Sequence, residues 1–532
     1  MDIVASRTVA DQWRELARTC PDHTFLVHED LDGRTRELTY GQVADQVVRT
    51  ANLFHDLGVR RGDAVALHLG NTPEMVQCLF GLTVLGAVAV PLHPRVGAQE
   101  CRDVLERVRA SVVVAEPATA GMYDRGGATG GVRVDRVVVA GTGEPGGFED
   151  LRDRRGAEPV FDEEPTSDDP ATIVFTSGST ARPKGVVVTH ANLLFSGIFV
   201  GWQASLRPED RLLTTMPACH VNFQLNALMP VVMAGATLVM VERYSANRFW
   251  GQVRAHGATV VQAIATILRT LLLQPERAAD RDNDVREVLY YLPVTDEEKE
   301  RFEDRFGVRI LNSYGNSECL VGAITDPPLG ERRWPSIGRV GLGYEARVVD
   351  EDGREVPPGV EGEIRLRGVR GRTLMLEYFE DPEATAAAFD ADGWLLTGDI
   401  GYVDHDGWFY FVDRRSHFIK RAGENISPAQ VEGVLTSHPD IADAAVVGIP
   451  DPIHDEAVKA VVVPRPGARL DVEAVLAYCR ERLADFKVPG VVEVVDRLPQ
   501  TRSLKVAKTE LTAAAPPAPR TTPVRTPSEK EN

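Results

Sequence analysis

A ten-residue loop between two apolar runs does most to limit what this chain can fold into. Residues 171–175 and 186–190 read as short buried strands, and Thr176, Ser177, Gly178, Ser179, Thr180, Ala181, Arg182, Pro183, Lys184 and Gly185 join them. Hydroxyls, backbone amides freed by glycines and one lysine crowd into that turn, a composition suited to wrapping an anionic group such as a triphosphate. It is not a Walker A loop, because Pro183 precedes Lys184 and Gly185 follows it, where that loop has Gly and then Ser or Thr. Alone, the stretch is better explained as a solvated Gly/Ser hairpin. Its context in the chain separates the two readings.

At 532 residues the chain exceeds what one hydrophobic core serves, so two or more domains are predicted. A formal charge of −19 argues against nucleic acid as a partner, which needs a cationic face, but leaves room for a local basic pocket. The six cysteines are scattered without a CxxC pair, which suits a reducing cytosol and no structural zinc. Asp2, Arg7, Asp11 and Arg14 interrupt any apolar run at the start of the chain, so no signal peptide is predicted and the expected location is cytoplasmic. The longest apolar stretch, residues 76–92, is broken by Gln77, Gly81, Thr83, Gly86 and Pro91, and reads as buried core rather than a membrane span.

Helical and strand periodicities alternate through residues 1–115, with a helix opening at Thr39 and strands over 63–69 and 86–92, the pattern of a parallel α/β sheet. Residues 120–168, rich in Gly, Asp and Glu, read as a surface excursion. The α/β alternation returns over 171–325, with strands at 238–240, 259–262 and 308–311. Beyond Pro335, short alternating strands at 346–349, 362–366 and 408–412 predict a small β-barrel or distorted sheet. After Arg415 a compact βαβ-like module follows, and the proline-rich tail from Thr512 is predicted to be disordered. The predicted class is α/β. Residues 1–414 form a large N-terminal domain of two α/β subdomains plus the barrel; 415–511 form a small mobile α+β C-terminal domain; 512–532 are tail.

The loop at 176–185 resembles the phosphate-binding signature of the adenylate-forming superfamily: acyl-CoA synthetases, luciferases and peptide-synthetase adenylation domains. That signature reads roughly Thr-Ser-Gly-Ser/Thr-Thr-Gly-x-Pro-Lys-Gly, and this chain departs from it at one position, where Ala181 stands for the second glycine. The resemblance implies that Thr176, Ser177, Gly178, Ser179, Thr180 and Lys184 hold nucleotide phosphate. Further motifs follow in the family's order. Asn312, Ser313, Tyr314, Gly315, Asn316, Ser317 and Glu318, at a strand's carboxyl end, are similar to its Tyr-Gly-x-Thr-Glu motif. By that likeness Asn312, Tyr314, Gly315 and Ser317 bind nucleotide, with Tyr314 on adenine and Ser317 on phosphate, and Glu318 helps hold Mg²⁺, which takes hard oxygen ligands. Thr397, Gly398 and Asp399 match a Thr-Gly-Asp triplet whose carboxylate accepts the ribose hydroxyls, and Arg414 in the Asp-Arg segment supplies a second ribose or phosphate contact.

Residues 419–427 resemble the loop that enters the active site when the C-terminal domain rotates between adenylation and thioester formation, with Gly423 letting backbone line the pantetheine tunnel. The hinge usually carries Asp or Lys where this chain has Ser416. Residues 498–505 are similar to the family's Pro-x-Thr-x-Ser-Gly-Lys motif, which makes Lys505 the cation delivered to the acyl-phosphate transition state, but Leu504 replaces the glycine. His220, in a Pro-x-x-His-like segment, is placed beside the acyl carboxylate, and no aspartate stands nearby to pair with an amino-acid amine. Gln262, Ala263, Ile264 and Thr266 are assigned to a pocket wall, and residues 289–294 replace a Gly-rich adenine strand.

The catalytic set implied is therefore Lys505, Glu318 and His220, with ATP, Mg²⁺ and coenzyme A as cofactors. The chain looks most like the crotonobetaine/carnitine-CoA ligase branch over about residues 1–510. The implied activity is acyl-CoA ligation through an acyl-AMP intermediate. Ala181 and Leu504 leave two readings open. Either neighbouring residues compensate and both half-reactions survive, or adenylation is weakened and the enzyme thioesterifies an acyl-adenylate supplied by a partner adenylating enzyme. A stand-alone ligase loading a carrier protein is the alternative, and the sequence leaves open a homodimer.

Overall fold

The computed structural model describes residues 3–124, 132–161, 164–176, 183–291, 294–414, 419–499 and 508–512. Helices begin where the sequence supplies caps. Thr39 and Gln42 cap each other's backbone at the start of Tyr40–Asp56, and Thr189 and Asn192 do the same for His190–Gln203. Two large sheets dominate the described residues. In one, strands Ala64–His68, Val88–Pro91 and Val112–Ala115 run parallel, and Pro170–Thr176 joins Val88–Pro91. The antiparallel neighbour of Pro170–Thr176 is Lys184–Thr189, with Lys184 opposite Thr176, next to the edge of this sheet. In the other, Arg211–Thr214, Val260–Ile264, Glu287–Tyr291 and Ile310–Tyr314 lie parallel side by side.

The helix Pro73–Leu85 is buried at every position and lies in the core shared by these layers. No helix of the described residues is long and apolar enough to cross a membrane. Two expectations need revision. Residues 120–168 are not simply a surface excursion: Arg136–Val139 pairs in parallel with Val112–Ala115, and Phe148, on the helix Phe148–Asp153, is fully buried. Val134, Val138 and Phe148, all buried, supply the apolar surface that docks this segment. The segment read as a barrel or distorted sheet is a four-stranded antiparallel sheet, Glu345–Val349, Gly362–Arg367, Leu395–Val403 and Phe409–Arg414.

From Ile419 the chain packs around its own cores. Ile441–Asp451 and Asp455–Pro464 form a long antiparallel pair, and the helix Val472–Arg480 crosses over to the parallel strand Val491–Val494. One face of this sheet, with Val446, Val458 and Val462, packs on the helices, while Ala445, Val447 and Val461 meet Leu498 and Leu511 on the other.

Candidate active site

The carboxyl ends of the parallel strands open into a cavity of about 1200 Å³. Its wall draws on four sheets: Lys184 from the first, Tyr291 and Tyr314 from the second, Asp399 from the four-stranded sheet, and residues 420–425 from the C-terminal unit. Ligands in open α/β sheets bind at such strand ends, and here several units converge on one.

At one end, Lys184 Nζ lies 4.7 Å from the ring centre of Tyr378, whose hydroxyl donates to Glu318 Oε1 at 2.6 Å. A cation and a carboxylate thus flank one phenol ring, facing the cavity. Glu318 is a hard oxygen ligand of the kind Mg²⁺ takes singly from protein, and it fits that ion with phosphate oxygens supplying the rest. Tyr314 is buried and donates its hydroxyl to Asp399 Oδ2 at 2.6 Å. Burial, and then the Asp399 carboxylate, push the Tyr314 phenol well above its ordinary value, so it stays a donor. Asn312 also lines the cavity, but its side-chain amide donates to the Ser336 carbonyl at 2.9 Å, which fixes the strand end rather than reaching inward. Gly315 is required by space: a Cβ there would collide with the Val321 carbonyl oxygen. Thr176 and Ser317 line the same region.

At the other end, His220 Nε2 is 3.0 Å from Glu424 Oε1, a contact between residues 204 apart in sequence. His220 caps the short helix Val221–Phe223, which continues as a π-helical turn over Gln224–Leu228. That widened turn places Asn226 Oδ1 3.1 Å from the Tyr291 hydroxyl, on the cavity wall. Burial opposes charge on both members of the His220 and Glu424 pair. Their mutual attraction overrides it, raising His220 above its usual value and, with Lys487 nearby, holding Glu424 down to about 2. The pairing therefore favours imidazolium on His220 and carboxylate on Glu424 over their neutral forms.

Glu424 sits on a hairpin, Ile419–Arg421 and Glu424–Ile426, whose two turn residues, Ala422 and Gly423, both have positive φ, +52° and +85°. That is the signature of a type I′ turn. A Cβ at Gly423 would stand 2.8 Å from Ile264 Cδ1, so the turn packs directly on the cavity wall of the N-terminal part.

His93, His220 and Glu424 form a group of three metal-capable side chains, with ligand atoms within 4.8 Å of one another. His93 Nδ1 accepts from the Arg95 N–H at 3.1 Å, and burial drops this imidazole to about 4, so its proton is on Nε2, facing Glu424. With the facing nitrogen protonated, the group reads as a polar cluster rather than a metal centre.

The expected site residues thus converge where they are described: Thr176, Lys184, Asn312, Tyr314, Gly315, Ser317, Glu318, Asp399, His220 and Gly423 all line or abut one cavity. Ser177, Gly178, Ser179, Thr180, Ala181, Leu504 and Lys505 lie outside the described residues, as does the Arg414 side chain; the Arg414 backbone pairs with Asp399. Ile264 and Thr266 form wall as expected. Gln262 does not: it is fully buried, bonded to Thr214 and Asn222 behind the wall, and Ala263 is buried too. Sequence reasoning missed His93, Asn226, Tyr378, Glu424 and Lys487. His93 was findable as a polar residue just beyond a parallel strand's carboxyl end; Tyr378 carried no local signal.

The AMP-binding enzyme family matches residues 13–379, and the AMP-binding enzyme C-terminal domain matches 430–505. The chain is 44% identical to a crotonobetaine/carnitine–CoA ligase of Salmonella paratyphi A over 516 residues, 96% of this chain and 100% of the relative. Among solved structures it is similar to the o-succinylbenzoate CoA synthetase MenE of Bacillus subtilis bound with a product analogue, with 29% identity, a TM-score of 0.83, and 95% and 98% of the two chains covered. It is also similar to ATP-bound MatB of Rhodopseudomonas palustris, with 25% identity, a TM-score of 0.69, and 94% and 98% covered. Motifs, fold, cavity and these likenesses agree: the chain belongs to the AMP-binding enzyme family.

Proposed function

We propose that this protein is an acyl-CoA ligase of the AMP-forming type, and that thioester formation from acyl-adenylate is its stronger half-reaction. In the first half-reaction a carboxylate displaces pyrophosphate from ATP to give acyl-AMP. In the second, the CoA sulfur attacks the acyl carbon, releasing AMP and a proton. Lys184 and Glu318 flank the phosphate end; a magnesium ion held by Glu318 and phosphate would neutralise charge there. Asp399, which accepts from the Tyr314 hydroxyl, would take the ribose hydroxyls in this reading. The observation that carries the reading is the contact of His220 with Glu424, which brings the hairpin of the C-terminal unit onto the acyl end of the cavity. A charged pair there fixes the hairpin against the acyl end of the cavity, which holds the reacting groups in place. The closer overall match to the synthetase holding its product analogue than to ATP-bound MatB supports the same docking.

The substitutions Ala181 and Leu504 bear on the first half-reaction. Ala181 adds a methyl where phosphate would approach backbone, and a non-glycine just before Lys505 resists a left-handed backbone. Losing one preorganised donor to a developing charge costs roughly a hundred- to a thousandfold in rate. Rotation of residues 415–511 about a hinge near Ser416, and a cytoplasmic location, belong to the same reading.

The test is mass-spectrometric detection of acyl-CoA across a panel of acids that includes crotonobetaine and carnitine. One arm supplies acid, ATP, Mg²⁺ and CoA; the other supplies preformed acyl-adenylate and CoA. Faster product from the adenylate for the same acyl group is expected. Equal rates would remove the weakened first step and leave an ordinary two-step ligase. Loading of a phosphopantetheinyl carrier protein, with no acyl-CoA in either arm, would replace the reading altogether.

A further inference from the structure

The two parts of the molecule meet along a strip that begins where the strand Val88–Pro91 ends and runs into the helix Ala98–Val108. His93 meets the ring of Phe486 edge-on at 5.3 Å, and the Arg95 guanidinium lies 5.8 Å from that ring's centre. Gly97 lies so close to the C-terminal unit that a Cβ would stand 3.2 Å from the Arg482 carbonyl carbon. One turn further, Glu100 Oε1 accepts from Lys487 Nζ at 2.6 Å, linking residues 387 apart. Both side chains are nearly inaccessible, at 6% for Lys487 and 14% for Glu100. The second carboxylate oxygen, Oε2, is buried without a hydrogen-bond partner. Lys487 is thus the cation that faces the Glu100 carboxylate in this arrangement, and a buried ion pair with one member removed is strongly unfavourable. If the C-terminal unit leaves, both groups return to water.

We propose that Glu100 and Lys487 are positioning residues for thioester formation: their ion pair forms only while the C-terminal unit is docked, and it holds Glu424 against His220. Lys487 is adjacent in chain to Phe486, whose carbonyl accepts from Arg421 Nη1 at 3.0 Å, and Arg421 flanks the turn that carries Glu424. The lock and the catalytic hairpin are thus one rigid connection. A second cross-boundary ion pair, Arg269 with Asp455, anchors the opposite side of the hairpin. Of these two pairs, Glu100 and Lys487 are the less exposed, at 14% and 6% against 16% for Arg269 and 21% for Asp455.

This inference rests on the thioester-forming role proposed above, so its test has one readout independent of activity. Spin labels on Leu273→Cys and Val494→Cys, both exposed, are placed in a Cys20→Ser background of the full chain, and the distance between them is measured. The parent protein is expected to give one dominant distance. Glu100→Gln and Lys487→Met are expected to add a second population, and the charge swap Glu100→Lys with Lys487→Glu to restore the first. An unchanged distribution in both single variants, or a swap no better than either, overturns the lock. In parallel, the rate of thioester formation from preformed acyl-adenylate should fall roughly tenfold or more in each single variant and recover in the swap. A parent protein that forms no thioester would remove the functional reading while leaving the distance measurement to decide the lock.

Discussion

The two ends of the cavity are held together in different ways. At the end with Lys184, Glu318, Tyr314 and Asp399, every side chain stands on or beside a strand whose register is set by the N-terminal sheets, and Tyr314 and Tyr378 already hold the two carboxylates in place. At the other end, His220 is supplied by one unit and Glu424 by another, and their contact exists only through docking. A site that is prebuilt at one end and assembled at the other can bind nucleotide before it commits to the second reaction. It also means that mutations at the two ends should fail differently.

The largest effect is expected at Gly315. Gly315→Ala drives a methyl into the Val321 carbonyl, displacing both Tyr314 and Glu318, and misplacement of that order costs about a hundredfold in rate. Both half-reactions should fall together in single-turnover assays. A loss confined to one would mean that the prebuilt end is not one unit. Next, Glu424→Gln should slow thioester formation by roughly ten- to a hundredfold with little change in binding of the acyl-adenylate, and should let His220 titrate nearer its ordinary value by NMR. Asp399→Asn should do the opposite, raising the KM for the adenylate by about tenfold while sparing the chemical step.

The ends also differ in their response to pH. His68 and His190 are buried within the N-terminal part, and burial holds both at about 4. Folded values below the usual 6.5 give a stability contribution that is complete above about 6.5 and lost as pH falls toward 4. The melting temperature should therefore decline through that window as the unfolded imidazoles take up protons. Docking has a different profile. His220 is raised, so its contribution is full below 6.5 and lost as pH rises through its folded value; Glu424, lowered, contributes above 4.5 and fails toward 2. The interdomain distance should be tightest between about 4.5 and 6.5 and loosen at alkaline pH, while the N-terminal core remains stable. Equal responses of core and docking would break the distinction. The smallest effect belongs to Ala422, whose φ of +52° is strained for an alanine. Ala422→Asn should stabilise the hairpin by up to about 1 kcal/mol, read as slower hydrogen exchange there.

Much of the prebuilt end was legible because its residues lie in short contiguous motifs. Tyr314 and Glu318 are four apart, and the Thr-Gly turn before Asp399 is local chemistry, so spacing alone carried the argument. The wall residue Gln262 was misjudged because alternation along a strand says which faces differ, not which one meets a cavity; its amide turned out to bind Thr214 and Asn222. The Gly-rich stretch at 120–168 was misjudged for a related reason, since composition does not reveal that a few valines will find the edge of a sheet.

By itself, then, the amino-acid sequence determined the α/β alternation, the hairpin that presents Lys184, the order of the nucleotide motifs and the glycine in the 419–427 turn. All of these depend on near neighbours, through backbone geometry and periodic burial. Only the tertiary structure decided that Glu424 meets His220, that His93 stands beside them, and that Lys487 closes on Glu100. Those contacts join residues from about 200 to nearly 400 positions apart, and they follow from how two separately packed cores dock, a matter of surface shape and charge that no local pattern encodes.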